Sequence, residues 1–408
     1  MTDFRSACEA ILRKNDRGAY TVPSPRLYPH QWAWDSAFAV IGWTHVDPKR
    51  ALTELQTLMA GQWRDGRVPH IQFHLESADY FPGPDFWETA SRTPRTSTIT
   101  QPPVWATAAR RLVEVAGPSP EIAALVPAFD ASHRFFHAMR DPLGWGAVAI
   151  VHPWESGLDN CPAWDVPMAR IDITNPPPFR RKDTEVVGDA SMRPTEDDYK
   201  RYAVLVKEIA KDDFGAGNFA VYDPLMTAIL ARAETDLAWI AAQHDVASET
   251  RAGERATALE AALVENLWDD DVGRFVYYDV GSRERITADV IGCYVPLWCR
   301  GAVDADKRGR LLEGLRERYL TSAWPVPSTA PAEPTFDPRR YWRGPTWINI
   351  NWLLVDALGE ELAKRTVELV RTSGFREYFH PETGEGLGGE DFMWTAALAL
   401  DLVERGFG

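Results

Sequence analysis

The sequence predicts an all-α protein whose helices form a toroid and whose loops converge at one end. About a dozen stretches carry apolar residues at the three- and four-residue spacing of helices, and few stretches alternate like strands. The segments between the helices are all rich in acidic and aromatic residues, Pro and Gly. At 408 residues the chain exceeds the usual size of a domain. Two domains are the usual expectation for this length, but toroids are large single units, so a single domain stays open.

The helical segments follow one another along most of the chain. Residues 254–267 show the pattern most plainly, with four apolar side chains on one face. Only residues 273–279 and a few shorter runs resemble strands. We predict helices over residues 3–14, 37–43, 48–62, 104–116, 121–139, 221–243, 247–268, 304–318, 345–371 and 389–405, in that order.

Composition narrows the classes of function. The net charge of −15 argues against a nucleic acid or an anionic membrane as partner, but allows a small anionic substrate bound in one basic pocket. No stretch approaches the ~20 apolar residues of a membrane span, and the N-terminus lacks the apolar core of a secretory signal. The four cysteines have no Cys-x-x-Cys spacing, which favours reduced thiols. We therefore expect a cytoplasmic protein without cofactor or metal, and the sequence leaves open whether it forms a homo-oligomer.

The segment 152–165 (HPWESGLDNCPAWD) concentrates the candidate chemistry, with three acids and two Trp in fourteen residues. Pro153 and Pro162 lack an N–H, which excludes a plain helix or a buried strand. An ordered loop that holds carboxylates among indole rings suits a sugar, because sugar faces stack on aromatic rings and hydroxyls bind ionised acceptors. A surface loop whose acids cap the next helix is the alternative, although exposed loops seldom carry two Trp.

Two polar side chains lie at predicted helix starts. Asp35, flanked by Trp32 and Trp34, either binds sugar hydroxyls or is a first-turn acid favoured by the helix dipole. Gln101 lies at the mouth of the helix that begins near residue 104, where it either points a donor into a pocket or caps the helix.

Three further segments carry functional candidates. The loops 339–352 and 375–394 have a composition similar to that of the 152–165 segment, with aromatic and acidic residues, Pro and Gly. The charged, Pro-bearing excursion at about 170–200 carries Arg193, and Tyr199 follows at the start of a helix. Such an excursion is either a lid over a site or a solvated crossover without function.

Several familiar motifs are absent or out of context. His70 and His74 are four residues apart, but Pro69 argues against a metal-binding helix there. Residues 384–389 match Gly-x-Gly-x-x-Gly without following a strand, and no Walker A motif occurs, so nucleotide binding has little support. A serine hydrolase is disfavoured because no Gly-x-Ser-x-Gly elbow is present.

Ordered motifs lie between residues 154 and 394. They are WESGLDN at 154–160 with WD at 164–165, YWRGPTW at 341–347, and EYFHP at 377–381 with GG at 388–389 and FMW at 392–394. Together they resemble glycoside hydrolase family 63, and most closely its bacterial mannosylglycerate and glucosylglycerate hydrolases. The likeness extends from about residue 28 to the end. One departure is Cys161, where the pattern has Ser, and this affects packing more than chemistry.

The resemblance implies one (α/α)6 barrel as a single catalytic domain over residues 1–408. It also implies an inverting glycosidase that uses two carboxylates. By similarity, Asp159 is the general acid that protonates the glycosidic oxygen, and Glu377 is the general base that activates water. Inversion requires room for that water between the base and the sugar. Glu390 is the second choice for the base, and Glu385 is a further rival. A general acid must keep its proton near neutral pH, and neighbours such as Glu155, Asp165 or the indole rings supply a reason.

The resemblance also implies the substrate, 2-O-α-mannosyl-D-glycerate or 2-O-α-glucosyl-D-glycerate. The sugar is expected to contact Tyr28, Trp32, Trp34, Asp35, Gln101, Trp154, Gly157, Trp342 and Trp347. The carboxylate of the glycerate is expected at Arg193 and Tyr199, with Tyr80 and Tyr341 closing beside them. An α-glucosidase for small α-glucosides, a sugar epimerase or phosphorylase, and a catalytically silent sugar-binding protein remain as alternatives. The acid pair favours hydrolysis, and the choice between mannose and glucose stays open.

Overall fold

Helices dominate the computed structural model, which describes residues 3–75, 80–181, 183–212, 217–244, 251–299, 301 and 303–408. They are α1 (Phe4–Asn15), α2 (Ala33–Thr44), α3 (Pro48–Ala60), α4 (Trp105–Ala116), α5 (Pro120–Ala123), α6 (Val126–Met139), α7 (Asp165–Ala169), α8 (Asp183–Val187), α9 (Glu196–Lys211), α10 (Pro224–Gln243), α11 (Ala252–Ala262), α12 (Ala305–Arg318), α13 (Ile348–Leu358), α14 (Glu360–Ser373) and α15 (Met393–Leu402). The strands are short: β1 (Gln31–Trp32), β2 (Ile71–Gln72), β3 (Ala149–Ile150), β4 (Val221–Tyr222), β5 (Trp268–Asp269), β6 (Arg274–Phe275), β7 (Tyr277–Asp279), β8 (Glu284–Ile286), β9 (Arg376–Phe379) and β10 (Gly386–Glu390).

Five long helices and one pair of 3₁₀ turns form a closed inner ring. Helix α2 packs on α4, α4 on α10, α10 on the turns at Ile291–Cys293 and Val295–Trp298, these on α13, α13 on α15, and α15 again on α2. Every residue of α2 and of α15 is buried, as expected for helices that are covered on all sides. The fourth position of the ring holds two short 3₁₀ turns in place of a long helix, and the second of them ends at Cys299, which has an extended backbone.

An outer layer of helices surrounds this ring. Helix α1 packs on α15 and α2, α3 on α2 and α4, α6 and α11 on α10, and α14 on α13 and α15. Helix α12 covers the 3₁₀ turns, where Arg308 donates a hydrogen bond to the carbonyl of Leu297 at 3.3 Å. Six inner positions are thus covered by six outer helices. This arrangement confirms the (α/α)6 barrel.

The predicted elements differ from the observed ones mainly at their boundaries. The stretch 345–371 contains two helices, α13 and α14, because Gly359 has a φ of 81° that ends the first of them. The stretch 247–268 contains α11, a π-helical turn at Leu263–Leu267 and β5, and its first four residues lie outside the described ranges. None of the described helices combines the length and the apolar character needed to cross a bilayer.

Short antiparallel pairings shape the loops that precede the inner helices. Strand β1 leads directly into α2 and pairs with β2, which brings Gln31 opposite Gln72. Strands β9 and β10 form a hairpin with a bulge between Leu387 and Glu390, and this hairpin precedes α15. The segment that follows β3 leads into α7, while β3 pairs with β4 in the four-stranded sheet β3-β4-β7-β8. Several candidate residues lie on these segments: Trp32 on β1, Asp159 between β3 and α7, and Glu377 on β9.

Candidate active site

A cavity at the loop end of the barrel collects the predicted functional residues. It encloses about 880 Å³ of empty space, including its mouth. Every predicted site residue except Trp347 lines it. Those lining residues are Tyr28, Trp32, Trp34, Asp35, Tyr80, Gln101, Trp154, Gly157, Asp159, Arg193, Tyr199, Tyr341, Trp342 and Glu377.

Glu377 projects from β9 and is almost fully buried, with 1% of its surface exposed. Its Oε1 accepts a hydrogen bond from the hydroxyl of Tyr28 at 2.9 Å, and both of its oxygens accept from Nη1 of Arg193 at 3.2 and 3.3 Å. The backbone N–H of Gly389 donates to Oε2 at 2.8 Å. Three donors from three segments therefore hold this carboxylate in one orientation.

The β9–β10 hairpin reaches Glu377 only because residue 388 is glycine. Gly388 has a φ of 67°, a region that residues with a side chain rarely adopt. A Cβ at this position would lie 2.4 Å from Oε2 of Glu377 and 2.5 Å from Cε1 of Tyr378. The Gly-Gly pair of the sequence motif thus serves the close approach of backbone to carboxylate.

Asp159 lies on the loop between β3 and α7, and no other described residue donates a hydrogen bond to its side-chain carboxyl group. Its backbone carbonyl accepts from the hydroxyl of Tyr202 at 2.8 Å. The next residue, Asn160, accepts the backbone N–H of Trp342 at 2.9 Å, which ties this loop to the one before α13. Burial, aided by the charge of Glu377, raises the pKa of Asp159 to about 7 against the opposing charge of Arg193.

The cause of this raised pKa differs in part from the prediction. Asp183 and Glu377 are the carboxylates that raise it, whereas Glu155 and Asp165 are occupied elsewhere. Glu155 is fully buried and pairs with Arg140 at 2.8 Å. Asp165 pairs with Arg343 at 2.6 Å and is 46% exposed in its side chain.

Asp35 lies in the first turn of α2 and faces the same cavity as Asp159 and Glu377. Burial raises the pKa of Asp35 well above its usual range, and the two neighbouring carboxylates add to the effect against its own backbone hydrogen bond. A carboxyl group that keeps its proton donates as well as accepts, which suits a ligand hydroxyl. Gln101 is tied to the same helix start, because its Oε1 accepts the backbone N–H of Trp34 at 3.2 Å.

Indole rings form one wall of the cavity. Trp34 lies 6.4 Å from Trp342 between ring centroids, and Trp394 meets Trp34 edge-on at 5.4 Å. Gly157 packs directly against this wall, since a Cβ there would lie 2.4 Å from Cζ2 of Trp34. This wall presents the flat apolar surface on which sugar rings stack.

Trp347 was predicted to contact the sugar, but it lies behind the wall. Its ring stacks on Trp342 at 3.8 Å with an angle of 4° between the planes, so Trp342 separates it from the cavity. Its Nε1 donates to the carbonyl of Tyr341 at 3.1 Å. The sequence motif does not show which of the two tryptophans faces the cavity, because that depends on the conformation of the loop before α13.

Arg193 crosses the cavity and is 3% exposed. Besides its bonds to Glu377, its Nη2 donates to the hydroxyl of Tyr28 at 2.8 Å and its Nε to Oδ2 of Asp183 at 3.3 Å. The guanidinium lies over the ring of Tyr341, 4.0 Å from the centroid. The excursion at 170–200 thereby contributes a cation to the centre of the cavity.

The rival bases lie outside this cavity. Glu390 is exposed and pairs with Arg376 at 2.8 Å. Glu385 is exposed and pairs with Arg339 at 2.6 Å. Among the four glutamates of the 375–394 segment, only Glu377 lines the cavity.

Nine further residues line the cavity without having been predicted as site residues. Arg181 and Asp183 lie in the excursion that was noted only for Arg193 and Tyr199. Phe392 and Trp394 belong to a matched motif but were given no role, and His70 was considered only as a metal ligand. The full set is Pro23, Leu27, His70, Phe81, Pro82, Arg181, Asp183, Phe392 and Trp394.

The two histidines considered as metal ligands are engaged separately. Nδ1 of His70 contacts the hydroxyl of Ser97 at 2.5 Å, while Nε2 of His74 contacts the side-chain oxygen of Gln31 at 2.8 Å. Over the ranges that the structure describes, no group of three or more His, Cys, Asp or Glu side chains is arranged to hold a metal ion.

Known proteins share this chain's length and architecture. The chain is 42% identical to a mannosylglycerate hydrolase of Thermus thermophilus, over 96% of this chain and 98% of that protein. It is 35% identical to the glucosylglycerate hydrolase of Mycolicibacterium hassiacum, over 98% of each chain. The crystal structure of the family 63 mannosylglycerate hydrolase from another strain of Thermus thermophilus, in complex with Tris and D-glycerate, matches with a TM-score of 0.90 and 41% identity, covering 98% of this chain and 100% of that one. The family model of the mannosylglycerate hydrolase MGH1-like glycoside hydrolase domain matches residues 28–395. This chain therefore belongs to the MGH1-like glycoside hydrolases.

Proposed function

We propose that this protein is an inverting α-glycosidase that hydrolyses 2-O-α-mannosyl-D-glycerate, 2-O-α-glucosyl-D-glycerate or both to the free sugar and D-glycerate. The observation that carries the proposal is the contrast between two carboxyl groups in one cavity. Asp159 has no donor from another described side chain, and its pKa is raised to about 7 mainly by burial. Glu377 is held by three donors. Such a contrast separates a proton donor from a proton acceptor.

The mechanism assigns one step to each group. Asp159 gives its proton to the glycosidic oxygen as the bond to the anomeric carbon breaks. A water molecule attacks that carbon from the opposite face, and Glu377 takes the proton that the water loses. The released sugar is the β-anomer, since one displacement inverts an α-linkage. Asp35, Gln101 and the indole wall hold the sugar.

The aglycone is assigned to the side of the cavity that the excursion contributes. Arg193 is the cation suited to the carboxylate of the glycerate, with Tyr199 and Tyr80 beside it. We further propose that the excursion at about 170–200 acts as a lid, because it brings Arg193 and Tyr199 from outside the barrel to the cavity. Replacing Arg193 with Ala should raise KM for the glycerate substrate at least tenfold, and an unchanged KM would remove this assignment.

Proton NMR of the purified protein with each of the two glycosylglycerates tests the proposal directly. Rapid appearance of the β-anomer of the sugar is expected, and the faster substrate defines the sugar specificity. An initial α-anomer would contradict a single displacement. Absence of free sugar from both substrates would remove the assignment of the aglycone.

Matched amide variants test the two roles. Asp159→Asn and Glu377→Gln should each lower kcat by at least about 10²-fold, the lower range for loss of a general acid or base. Glu390→Gln is the control, because Glu390 lies on the same hairpin but is exposed and bound to Arg376. It should keep wild-type kcat. Loss of activity in Glu390→Gln with retention in Glu377→Gln would reassign the base.

A further inference from the structure

The hydrogen bonds of Arg193 conflict with its proposed role as an open receptor for a carboxylate. A guanidinium binds a carboxylate with two hydrogen bonds, either through Nη1 and Nη2 or through Nε and Nη2. Nη1 donates to Glu377, Nη2 to Tyr28, and Nε to Asp183. Each of the two binding edges is therefore in contact with acceptors of the protein itself.

Asp183 connects Arg193 to a second arginine of the cavity. Its Oδ1 accepts from Nε of Arg181 at 3.0 Å, and its Oδ2 accepts from Nη2 of Arg181 at 2.7 Å and from Nε of Arg193 at 3.3 Å. Asp183 is 8% exposed and lines the cavity together with both arginines. Although burial opposes it, the hydrogen bonds from Arg181 and the charge of Arg193 lower the pKa of Asp183, so it is ionised at neutral pH.

The ion pairs of Asp183 with Arg181 and Arg193 affect how the cavity can bind an anion. Arg181 and Arg193 are the cations among the described residues that line it, and they face the four carboxyl groups of Asp35, Asp159, Asp183 and Glu377. A substrate carboxylate that entered beside an ionised Asp183 would meet a like charge, with both guanidinium groups already paired. An anion can therefore bind to these arginines only if a carboxylate of the protein moves away from them.

We propose that Asp183 occupies the place of the substrate carboxylate between Arg181 and Arg193, and that the aglycone displaces it on binding. Arg181 is then a second ligand of the aglycone carboxylate. Asp183 is a specificity-determining residue, because only an anionic aglycone replaces its two ion pairs. A neutral aglycone leaves the arginines paired with Asp183. This inference rests on the proposed function, since it takes D-glycerate as the aglycone.

The choice of Asp183 among the carboxylates follows from its position. Glu377 is fixed by Gly389 and Tyr28 as well as by Arg193, and its proposed role in catalysis keeps it in place. Asp183 begins α8, a helix of five residues in the excursion, and its side chain interacts with the two arginines and Tyr199. These three partners all belong to the excursion, so moving the side chain of Asp183 away breaks none of its described bonds to the helices of the barrel.

Calorimetric titration of D-glycerate and of its neutral amide, D-glyceramide, into wild type and Asp183→Asn tests the proposal. Asn keeps an oxygen acceptor for the arginines but removes the competing charge. D-glycerate should bind the variant at least tenfold more tightly than it binds wild type, while Kd for D-glyceramide should change less than twofold. If Asp183 merely positions Arg193, the variant binds D-glycerate more weakly or equally, and the proposal is overturned.

Two controls complete the test. Asp189→Asn removes the same charge from an exposed carboxylate of the same excursion. Asp189 accepts the backbone N–H of Ser191, and its replacement should change neither the Kd of D-glycerate nor that of D-glyceramide. Tightening of D-glycerate binding in that variant would assign the effect to net charge and overturn the proposal. A crystal structure of wild type with D-glycerate serves if Asp183→Asn fails to fold. There the ligand carboxylate should contact Arg181 and Arg193, with Asp183 more than about 4 Å from Nε of Arg193, beyond ion-pair distance; an intact contact between Asp183 and Arg193 would refute the displacement.

The outcomes for wild type separate this inference from the proposed function. Failure of wild type to cleave either glycosylglycerate or to bind D-glycerate would refute the proposed function. Cleavage and binding by wild type without tightening in Asp183→Asn would refute only the role of Asp183.

Discussion

Gly388→Ala should disable the candidate base while leaving the barrel folded. The new Cβ would lie 2.4 Å from Oε2 of Glu377, whereas ordinary van der Waals contact begins at 3.4 Å. The carboxylate must therefore move by about 1 Å or lose its hydrogen bond from Gly389. A misplacement of about 1 Å in a catalytic group lowers the rate by about 10²-fold, which corresponds to about 2.7 kcal/mol in the activation free energy.

The backbone strain of this substitution needs a separate control. Gly388 has a φ of 67°, and an alanine in that region costs about 1–2 kcal/mol of stability. Gly359→Ala likewise places a side chain at a positive φ, 81°, but nothing lies within 4 Å of its new Cβ. Both variants should lose stability in thermal unfolding, and only Gly388→Ala should lose activity.

The assay is steady-state hydrolysis of a glycosylglycerate at the pH optimum, combined with thermal unfolding of each variant. Gly388→Ala should show kcat lowered about 10²-fold. Wild-type kcat in Gly388→Ala would refute the steric coupling between residue 388 and the base. An equal loss in Gly359→Ala would assign the effect to general destabilisation instead.

Three further predictions concern pH, a buried acid and the indole wall. Because Asp159 must be protonated to act as the acid and its pKa is about 7, kcat/KM should fall as the pH rises through about 7, and a flat profile to high pH would contradict its role. Asp223 caps α10 in a fully buried position, and burial raises its pKa to about 7; its protonated form therefore stabilises the fold below the unfolded pKa of 3.8, and this contribution is lost as the pH rises to about 7. Asp223→Asn keeps the cap without the charge, so in denaturant titrations its stability relative to wild type should increase by at least about 1 kcal/mol from pH 5 to pH 8, and a constant difference would refute the raised pKa. Trp347→Leu removes the ring stacked behind Trp342 and should raise KM about two- to tenfold with kcat nearly unchanged, whereas an unchanged KM would show that the stack does not support the sugar wall.

The sequence alone determined the helical architecture and the chain segments that carry the chemistry. Apolar spacing marks the helices, because burial of one face depends on local order along the chain. Pro, Gly, acids and tryptophans mark the loops, because these residues restrict the backbone or bind ligands in any fold. The loops at 152–165 and 375–394 were identified in this way, and the family resemblance selected Asp159 and Glu377 within them.

Only the tertiary structure decided which of these side chains meet. Glu377, Glu385 and Glu390 lie on one short hairpin, and the direction of each side chain, set by the register of β9 and β10, leaves only Glu377 in the cavity. Trp342 and Trp347 were both expected to contact the sugar, but only Trp342 lines the cavity, because the ring of Trp347 stacks behind it. The bond of Arg193 to Glu377 joins the excursion to the β9–β10 hairpin, and such contacts between distant parts of the chain leave no periodic pattern in the sequence.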